Sequence, residues 1–271
     1  MAASLYDIPV RLMMPRMAED LADPPGKTFT KSEVHAWFAE RYPKVKSGTI
    51  EAHLARFSTN ARGRLSHPVR PGEDLFFKID SERFRRYAPL VDPAPIRRAD
   101  EAGALAVQAL DAQLVPEGTH APHAGVDPDD LSQGPSEFAY ESDLRDFLAR
   151  NLGLIEPGLK LYEDEDIDGV EFPVGGRYID LLAIDRTQTL VVIELKVSRG
   201  HERTVGQLLR YMGWIAKNQA EEGQKVRGII AAREISEDLK LACAYLPNVS
   251  LFEYQLSVSL KPVAVDRWVT L

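Results

Sequence analysis

Two strand-like runs with charge set into them, lying between Gly176 and Val197, limit the fold of this chain more than any other feature. Gly176-Arg177-Tyr178-Ile179-Asp180-Leu181-Leu182-Ala183-Ile184-Asp185 reads as a strand running into a turn at Arg186-Thr187-Gln188, and Thr189–Val197 reads as a second strand rich in β-branched residues. A hairpin centred on Thr187 sets Asp180 opposite Glu194 and Tyr178 opposite Lys196. Side chains alternate along a strand, so Asp180, Glu194 and Lys196 share one face while Leu195 points into the other layer. A loop of the other parity would split the charges between the faces, so the expectation depends on register.

Charges in an apolar hairpin either form a buried ion pair or carry chemistry, and the desolvation cost of the first invites the second. Asp180, Glu194 and the Leu195 backbone carbonyl are hard oxygen ligands suited to Mg²⁺ or Mn²⁺, ions that keep water in their remaining positions. An ion held there polarises a phosphate and lowers the pKa of a bound water. Lys196 then orients that water or stabilises charge in the transition state.

Charge also divides the chain. Residues 1–90 hold 15 Lys or Arg against 11 Asp or Glu, a net of +4, whereas the remainder holds 18 against 30, a net of −12. From Arg41 to Arg70 the basic residues are Arg41, Lys44, Lys46, Arg56, Arg62, Arg64 and Arg70, opposed by Glu51 alone. Such a patch is either a solvated face or the footprint of phosphate binding, so the overall acidity of the chain does not exclude a DNA partner. Three prolines in residues 88–96 mark a linker, taken as residues 91–135, with a helix expected over 98–114 and a Pro/Gly/Asp/Ser-rich loop after it. His120 and His123 fall in that loop and read as solvated.

Residues 1–90 read as a winged helix. A first helix spans Pro9–Ala22 with Pro15 inside it; Thr30 and Glu33 form a capping box for a second; a third follows Lys44–Gly48, capped by Ser47 or Thr49. Ile50, Leu54, Phe57 and Ala61 make the buried stripe of that third helix, and Thr49, His53, Arg56 and Asn60 repeat the spacing as a polar stripe able to reach base edges or phosphates. Arg64–Val69 and Leu75–Asp80 read as the hairpin wing, with Arg70 near its tip. Lys44, Lys46, Thr49, His53, Arg56, Asn60, Arg62, Arg64 and Arg70 are the candidate DNA contacts here, with Arg177 in the second half, where His201 and Arg203 have weaker support.

Asp180, followed by Glu194-Leu195-Lys196, resembles the PD-(D/E)XK nuclease superfamily. The match is closer to the C-terminal domain of the NucS/EndoMS endonucleases, in Glu141-Ser142-Asp143-Leu144, Gly176-Arg177-Tyr178-Ile179-Asp180-Leu181, Glu194-Leu195-Lys196 and Gln207-Leu208-Leu209-Arg210-Tyr211. The resemblance covers roughly residues 136–255. It implies a restriction-endonuclease-like α/β core over residues 136–271, a mixed central sheet flanked by helices. It implies further that Asp180 and Glu194 hold the metal, that Lys196 assists the water, and that Glu141 completes the acidic cluster. Glu141 also reads as a favourable acid near a helix start. Gln207 and Tyr211 share a helix face and could contact the phosphate or the metal-bound water, although packing suits Tyr211 equally. The winged helix departs from the β-rich N-terminal domain of that family, and no clamp-binding tail is evident in Lys261–Leu271, so mismatch specificity is not carried over.

The chain thus reads as a Mg²⁺-dependent DNA endonuclease acting on double-stranded DNA, most simply as a homodimer. The alternatives are a restriction or defence enzyme specific for a sequence or modified base, and an inert DNA-binding regulator. Apolar runs such as Leu190–Ile193 are far too short to span a bilayer, the N-terminus lacks a signal-peptide pattern, and Cys243, the only cysteine, excludes an intramolecular disulfide and a cysteine-cluster zinc site. A cytoplasmic protein without a membrane partner is expected.

Overall fold

The computed structural model describes residues 6, 8–66, 70–97, 135–200 and 202–255. The expected helix over 98–114, the pair His120 and His123, His201 and Lys261–Leu271 lie outside them.

The N-terminal unit begins with α1 (Val10–Leu21), which buries Met13, Met14, Met17 and Ala18 and runs through Pro15. A short strand β1 (Thr28–Thr30), not anticipated from the sequence, leads into α2 (Lys31–Arg41). The capping box is formed: Glu33 N–H donates to Thr30 Oγ1 at 3.2 Å and Thr30 N–H donates to Glu33 Oε2 at 2.7 Å. Helix α3 (Ser47–Arg56) has Lys46 at its N-cap, without a side-chain cap from Ser47 or Thr49. Strands β2 (Phe76–Lys78) and β3 (Arg83–Arg86) complete an antiparallel sheet of order β1-β3-β2. Phe29, Phe76 and Phe84 from these strands pack on Phe38, Ile50, Leu54 and Phe57.

The strand expected from Arg64 is not formed over the described residues: Arg62–Ser66 is a 3-10 turn, and the hairpin is Phe76–Arg86. The cause is Arg64, which turns inward and is fully buried. Its guanidinium donates to the carbonyls of Arg56 at 2.9 Å, Glu73 at 3.1 Å and Ile96 at 3.2 Å and pairs with Asp74, so it staples the 3-10 turn to three other segments. Arg70 consequently lies in a turn beside the body of the unit and not at a hairpin tip.

The C-terminal unit is a mixed α/β fold. After α4 (Pro135–Arg150) come β4 (Lys160–Leu161), the two-residue strands β5 (Glu163–Asp164) and β6 (Ile167–Asp168), β7 (Val170–Val174), β8 (Arg177–Ile184), β9 (Leu190–Gly200), α5 (Arg203–Asn218), β10 (Val226–Ile235), α6 (Glu237–Cys243) and β11 (Val249–Glu253). The sheet runs β11-β10-β9-β8, with β4 and β7 sharing the outer edge of β8. Pairing is antiparallel from β4 and β7 through β8 to β9, and parallel from β9 through β10 to β11. Gly175 and Gly176, at φ of 56° and 86°, make the two-residue turn between β7 and β8. Helices α5 and α6 cover one face over Leu182, Val192 and Ile230, and α4 covers the other over Leu181, Ile193 and Ile229.

The two units meet along α3. Ala52 joins the core of the C-terminal unit, and the Cα of Gly48 lies so close to Gln219 that an added Cβ would stand 2.1 Å from Oε1. No helix among the described residues is long and apolar enough to cross a membrane.

Candidate active site

Register decides the site. Leu181 pairs with Ile193 and Leu182 with Val192, so the hairpin is centred on Thr187 and its continuation sets Asp180 beside Glu194. Leu195 is buried in the opposite layer, as the alternation requires. The β8–β9 ladder ends at Leu181 and Ile193, and the freed Leu195 N–H donates to Asp180 Oδ2 at 2.8 Å. In an extended strand the carbonyl points to the same side as the N–H, so the Leu195 carbonyl also faces the Asp180 side. A register shift between β9 and β10 follows directly after Lys196.

Lys196 Nζ stands 2.9 Å from Glu194 Oε1, and Glu194 is 2% exposed. The other oxygen, Oε2, is buried and has no hydrogen-bond partner. An unpaired buried carboxylate oxygen is costly unless a proton or a cation satisfies it. Burial first, and then the neighbouring Asp180 charge, push the Glu194 carboxyl up to about 8 despite Lys196. Asp180 is raised as well, again chiefly by burial, with Lys196 and the Leu195 N–H opposing. Burial alone would lower Lys196, but Glu194 and Asp180 outweigh it and hold the ammonium protonated.

Three further predicted residues surround this core. Gln207 Nε2 donates to the Tyr211 hydroxyl at 3.1 Å, and Tyr211, 3% exposed, is raised by burial and by the charge of Glu194. Glu141 on α4 is half-buried and close enough for its charge to act on Glu194 and Lys196. Among the described residues, no group of three or more His, Cys, Asp or Glu side chains is arranged to hold a metal ion. Two carboxylates and a backbone carbonyl nevertheless suit a hard divalent cation that keeps several waters, and the orphan Glu194 Oε2 is an oxygen such a cation would satisfy.

Two residues beside Asp180 escaped the sequence reading. Continuation of the β7–β8 register sets Glu171 beside Asp180, and Arg145 Nη1 stands 2.8 Å from Glu171 Oε1. Arg145 lowers, and Glu171 raises, the Asp180 carboxyl. The available signal was the spacing of Arg145 four residues after Glu141 on one helix face.

The candidate DNA contacts fare differently. Thr49, His53 and Arg56 are buried, each engaged by the β5–β6 segment: Thr49 Oγ1 donates to Asp164, His53 Nε2 lies 2.9 Å from the Glu165 carbonyl, and Arg56 Nη1 donates to the Asp166 carbonyl at 2.9 Å. Asn60 clamps the Lys78 backbone with two bonds of 2.8 Å, and Arg64 is internal. These five therefore do not form a free reading face. Lys46 pairs with Glu221, Arg62 with Glu171 and Arg70 with Asp166; Arg62 and Arg70 stay about half exposed, Lys44 is exposed and Arg177 half-buried.

Comparison with known proteins places the C-terminal segment. Residues 140–244 match the family model "Endonuclease NucS C-terminal domain", and residues 9–86 match a model described as a domain of unknown function, DUF7669. The Endonuclease NucS of Pyrococcus furiosus is 33% identical over 100 residues, covering 37% of this chain and 34% of that protein. That of Methanocaldococcus jannaschii is 32% identical over 138 residues, covering 47% and 49%. That of Sulfolobus acidocaldarius is 35% identical over 107 residues, covering 38% and 39%. The chain spans less than half the length of each of these relatives. Among solved structures, a repair endonuclease from Pyrococcus abyssi aligns with a TM-score of 0.35 at 23% identity, covering 46% of this chain and 48% of that one. An EndoMS–dsDNA complex aligns with a TM-score of 0.35 at 25% identity, covering 49% and 50%. Residues 140–244 are similar to the NucS C-terminal domain, and Glu141, Asp180, Glu194, Lys196, Gln207 and Tyr211 all lie within them.

Proposed function

We propose that the protein is a metal-dependent DNA endonuclease that hydrolyses phosphodiester bonds in double-stranded DNA, with Mg²⁺ or Mn²⁺ held by Asp180, Glu194 and the Leu195 carbonyl. The observation that carries this reading is the buried Glu194, with one oxygen on Lys196 and the other without a partner beside Asp180, inside a NucS-like domain. A bound divalent ion supplies Lewis-acid polarisation of the phosphate and a water of lowered pKa. The chain's own residues do the rest. Lys196, held protonated, places a fixed positive charge where negative charge grows on the phosphate. Glu141 adds acidic field from α4. Tyr211, bonded by Gln207, keeps a protonated hydroxyl within reach of the Glu194 and Asp180 charges.

The N-terminal unit, with three helices and a β1-β3-β2 sheet, is proposed as a winged helix that selects the target. Lys44, Arg62 and Arg70 at the surface of this unit support the reading, with Arg177 of β8 half-buried. Two copies, one per strand, are the simplest way to make a double-strand break.

The test is incubation of the protein with plain, mismatched and branched duplexes in Mg²⁺, in Mn²⁺ and in EDTA. Cleavage of at least one duplex in either metal and of none in EDTA is expected. No cleavage of any substrate in either metal would instead favour an inert DNA-binding regulator.

A further inference from the structure

The β5–β6 turn consists of Glu165 and Asp166, both left-handed at φ of 47° and 70°. Asn-Gly suits such a turn far better, since both central residues need positive φ. What Glu165 and Asp166 supply instead is negative charge, aimed at the N-terminal unit. The Asp166 carboxylate stands 2.9 Å from Arg11 Nε and 3.3 Å from Arg70 Nη1, and its carbonyl accepts from Arg56. The Glu165 carboxylate accepts the Val10 N–H of the first turn of α1 at 3.3 Å, and its carbonyl meets His53. Asp164 accepts from Thr49 Oγ1.

Guanidinium forks, a hydroxyl and a backbone N–H converging on oxygen atoms are the groups proteins use to grip a phosphodiester backbone. Other arginines of the unit are committed locally: Arg64 is internal, Arg85 is bound to Asp92 and Arg83 to Asp80. Arg11 and Arg70 remain 34% and 47% exposed, so the array opens to solvent on one side. Contacts of α3 with the C-terminal unit run through Gly48, Ala52 and the outer Lys46–Glu221 pair, besides the bonds of Thr49, His53 and Arg56 to the β5–β6 segment.

We propose that the Arg11 and Arg70 face of the N-terminal unit is a nucleic-acid phosphate-binding surface, and that the acidic β5–β6 turn occupies it as an internal phosphate mimic which DNA displaces. The inference rests on DNA as the partner, but not on the chemistry at Asp180 and Glu194.

The double variant Glu165→Asn, Asp166→Gly keeps a two-residue turn, with residues that favour it, and removes both carboxylates. Binding is measured by fluorescence anisotropy with a labelled mixed-sequence duplex in EDTA, so that nothing is cut. The variant is expected to bind roughly tenfold tighter than wild type at low salt. The slope of log K against log salt should steepen by about two, as Arg11 and Arg70 take up phosphates. Adding Arg11→Ala and Arg70→Ala should remove the gain. The control Glu237→Gln, Asp238→Asn, the same charge change on exposed positions of α6, should give a much smaller one. Equal or weaker binding by the turn variant, or a gain matched by the control, overturns the proposal.

Hydrogen exchange of the unaltered chain tests it without a variant. Amides of residues 163–168 should exchange faster once the duplex is bound, and unchanged or slower exchange overturns the proposal. A wild type that binds no duplex at any salt overturns this inference together with the DNA reading. A wild type that binds but never cuts overturns the catalytic reading alone.

Discussion

Glu194 sets the electrostatics of the candidate site, and its protonation follows from where it sits. A carboxyl raised toward 8 in the folded chain, against an ordinary 4.5, binds its proton more tightly folded than unfolded. Stability of the metal-free protein should therefore fall as pH rises from about 5 to 8, as the proton that satisfies the buried group is lost. Thermal unfolding in EDTA should show Tm declining over that range, and Mn²⁺ should restore more of it at the upper end than at the lower. A flat or rising Tm in EDTA would mean that Glu194 is not held in this way. Lys196 has a separate role in the account. Lys196→Met should leave Mn²⁺ binding measurable by calorimetry while slowing cleavage by about a hundredfold or more, the scale of removing one charge-stabilising donor. Equal losses of binding and turnover would assign Lys196 to metal retention instead. These residues were legible because the hairpin's parity alone decides whether Asp180, Glu194 and Lys196 meet. Glu171 and Arg145 were not, since their relation to Asp180 depends on β7, a strand whose Val-Glu-Phe-Pro-Val pattern carries a proline and a left-handed Glu171.

At the scale of elements, the strongest local signals read correctly, whereas the Ser47 or Thr49 cap of α3, the strand expected from Arg64 and the long-range contacts did not. The Thr30–Glu33 box and the hairpin about Thr187 are each settled within a few residues of sequence. Thr49, His53 and Arg56 of the expected polar stripe lie on α3 while Asn60 falls beyond its end at Arg56, and helical spacing cannot say what covers a face. Arg56 is 2% exposed, with Nε 3.1 Å and Nη2 3.0 Å from the two oxygens of Glu73. Removing one partner of a buried pair leaves the other charge uncompensated, so Arg56→Ala should destabilise the protein by about 3–5 kcal/mol, read from urea unfolding. A loss below about 1 kcal/mol, the value of an exposed pair, would place Arg56 on a solvated surface as the spacing alone suggested. Gly63 offers a gentler probe of the boundary between the units. A Cβ there would stand 2.7 Å from Tyr178 Cε1, so Gly63→Ala should shift the packing around Tyr178, visible as loss of protection at residues 177–180 in hydrogen exchange. Unchanged protection there would show that the two units do not press on one another at this point.

Across the whole molecule, the division into a basic first third and an acidic remainder has an internal meaning that composition alone conceals. The run Glu163-Asp164-Glu165-Asp166 meets part of the basic segment Arg41–Arg70, Asp164 through Thr49 and Asp166 through Arg70, while Arg62 pairs with Glu171. Two complementary charge runs in one chain were the signal for this contact, and nothing local says that they are partners. The mixed sheet with helices on both faces follows from the same parity and periodicity arguments that located the site, and the match of residues 140–244 to the NucS C-terminal domain agrees with it. The central proposal is catalysis by Asp180, Glu194 and Lys196. Its most direct measurement is cleavage of plasmid DNA in Mn²⁺ by wild type and by Asp180→Asn, purified side by side and matched in Tm. The account predicts cleavage by the wild type and a loss of at least about a hundredfold in the variant. Equal cleavage by the two would contradict it.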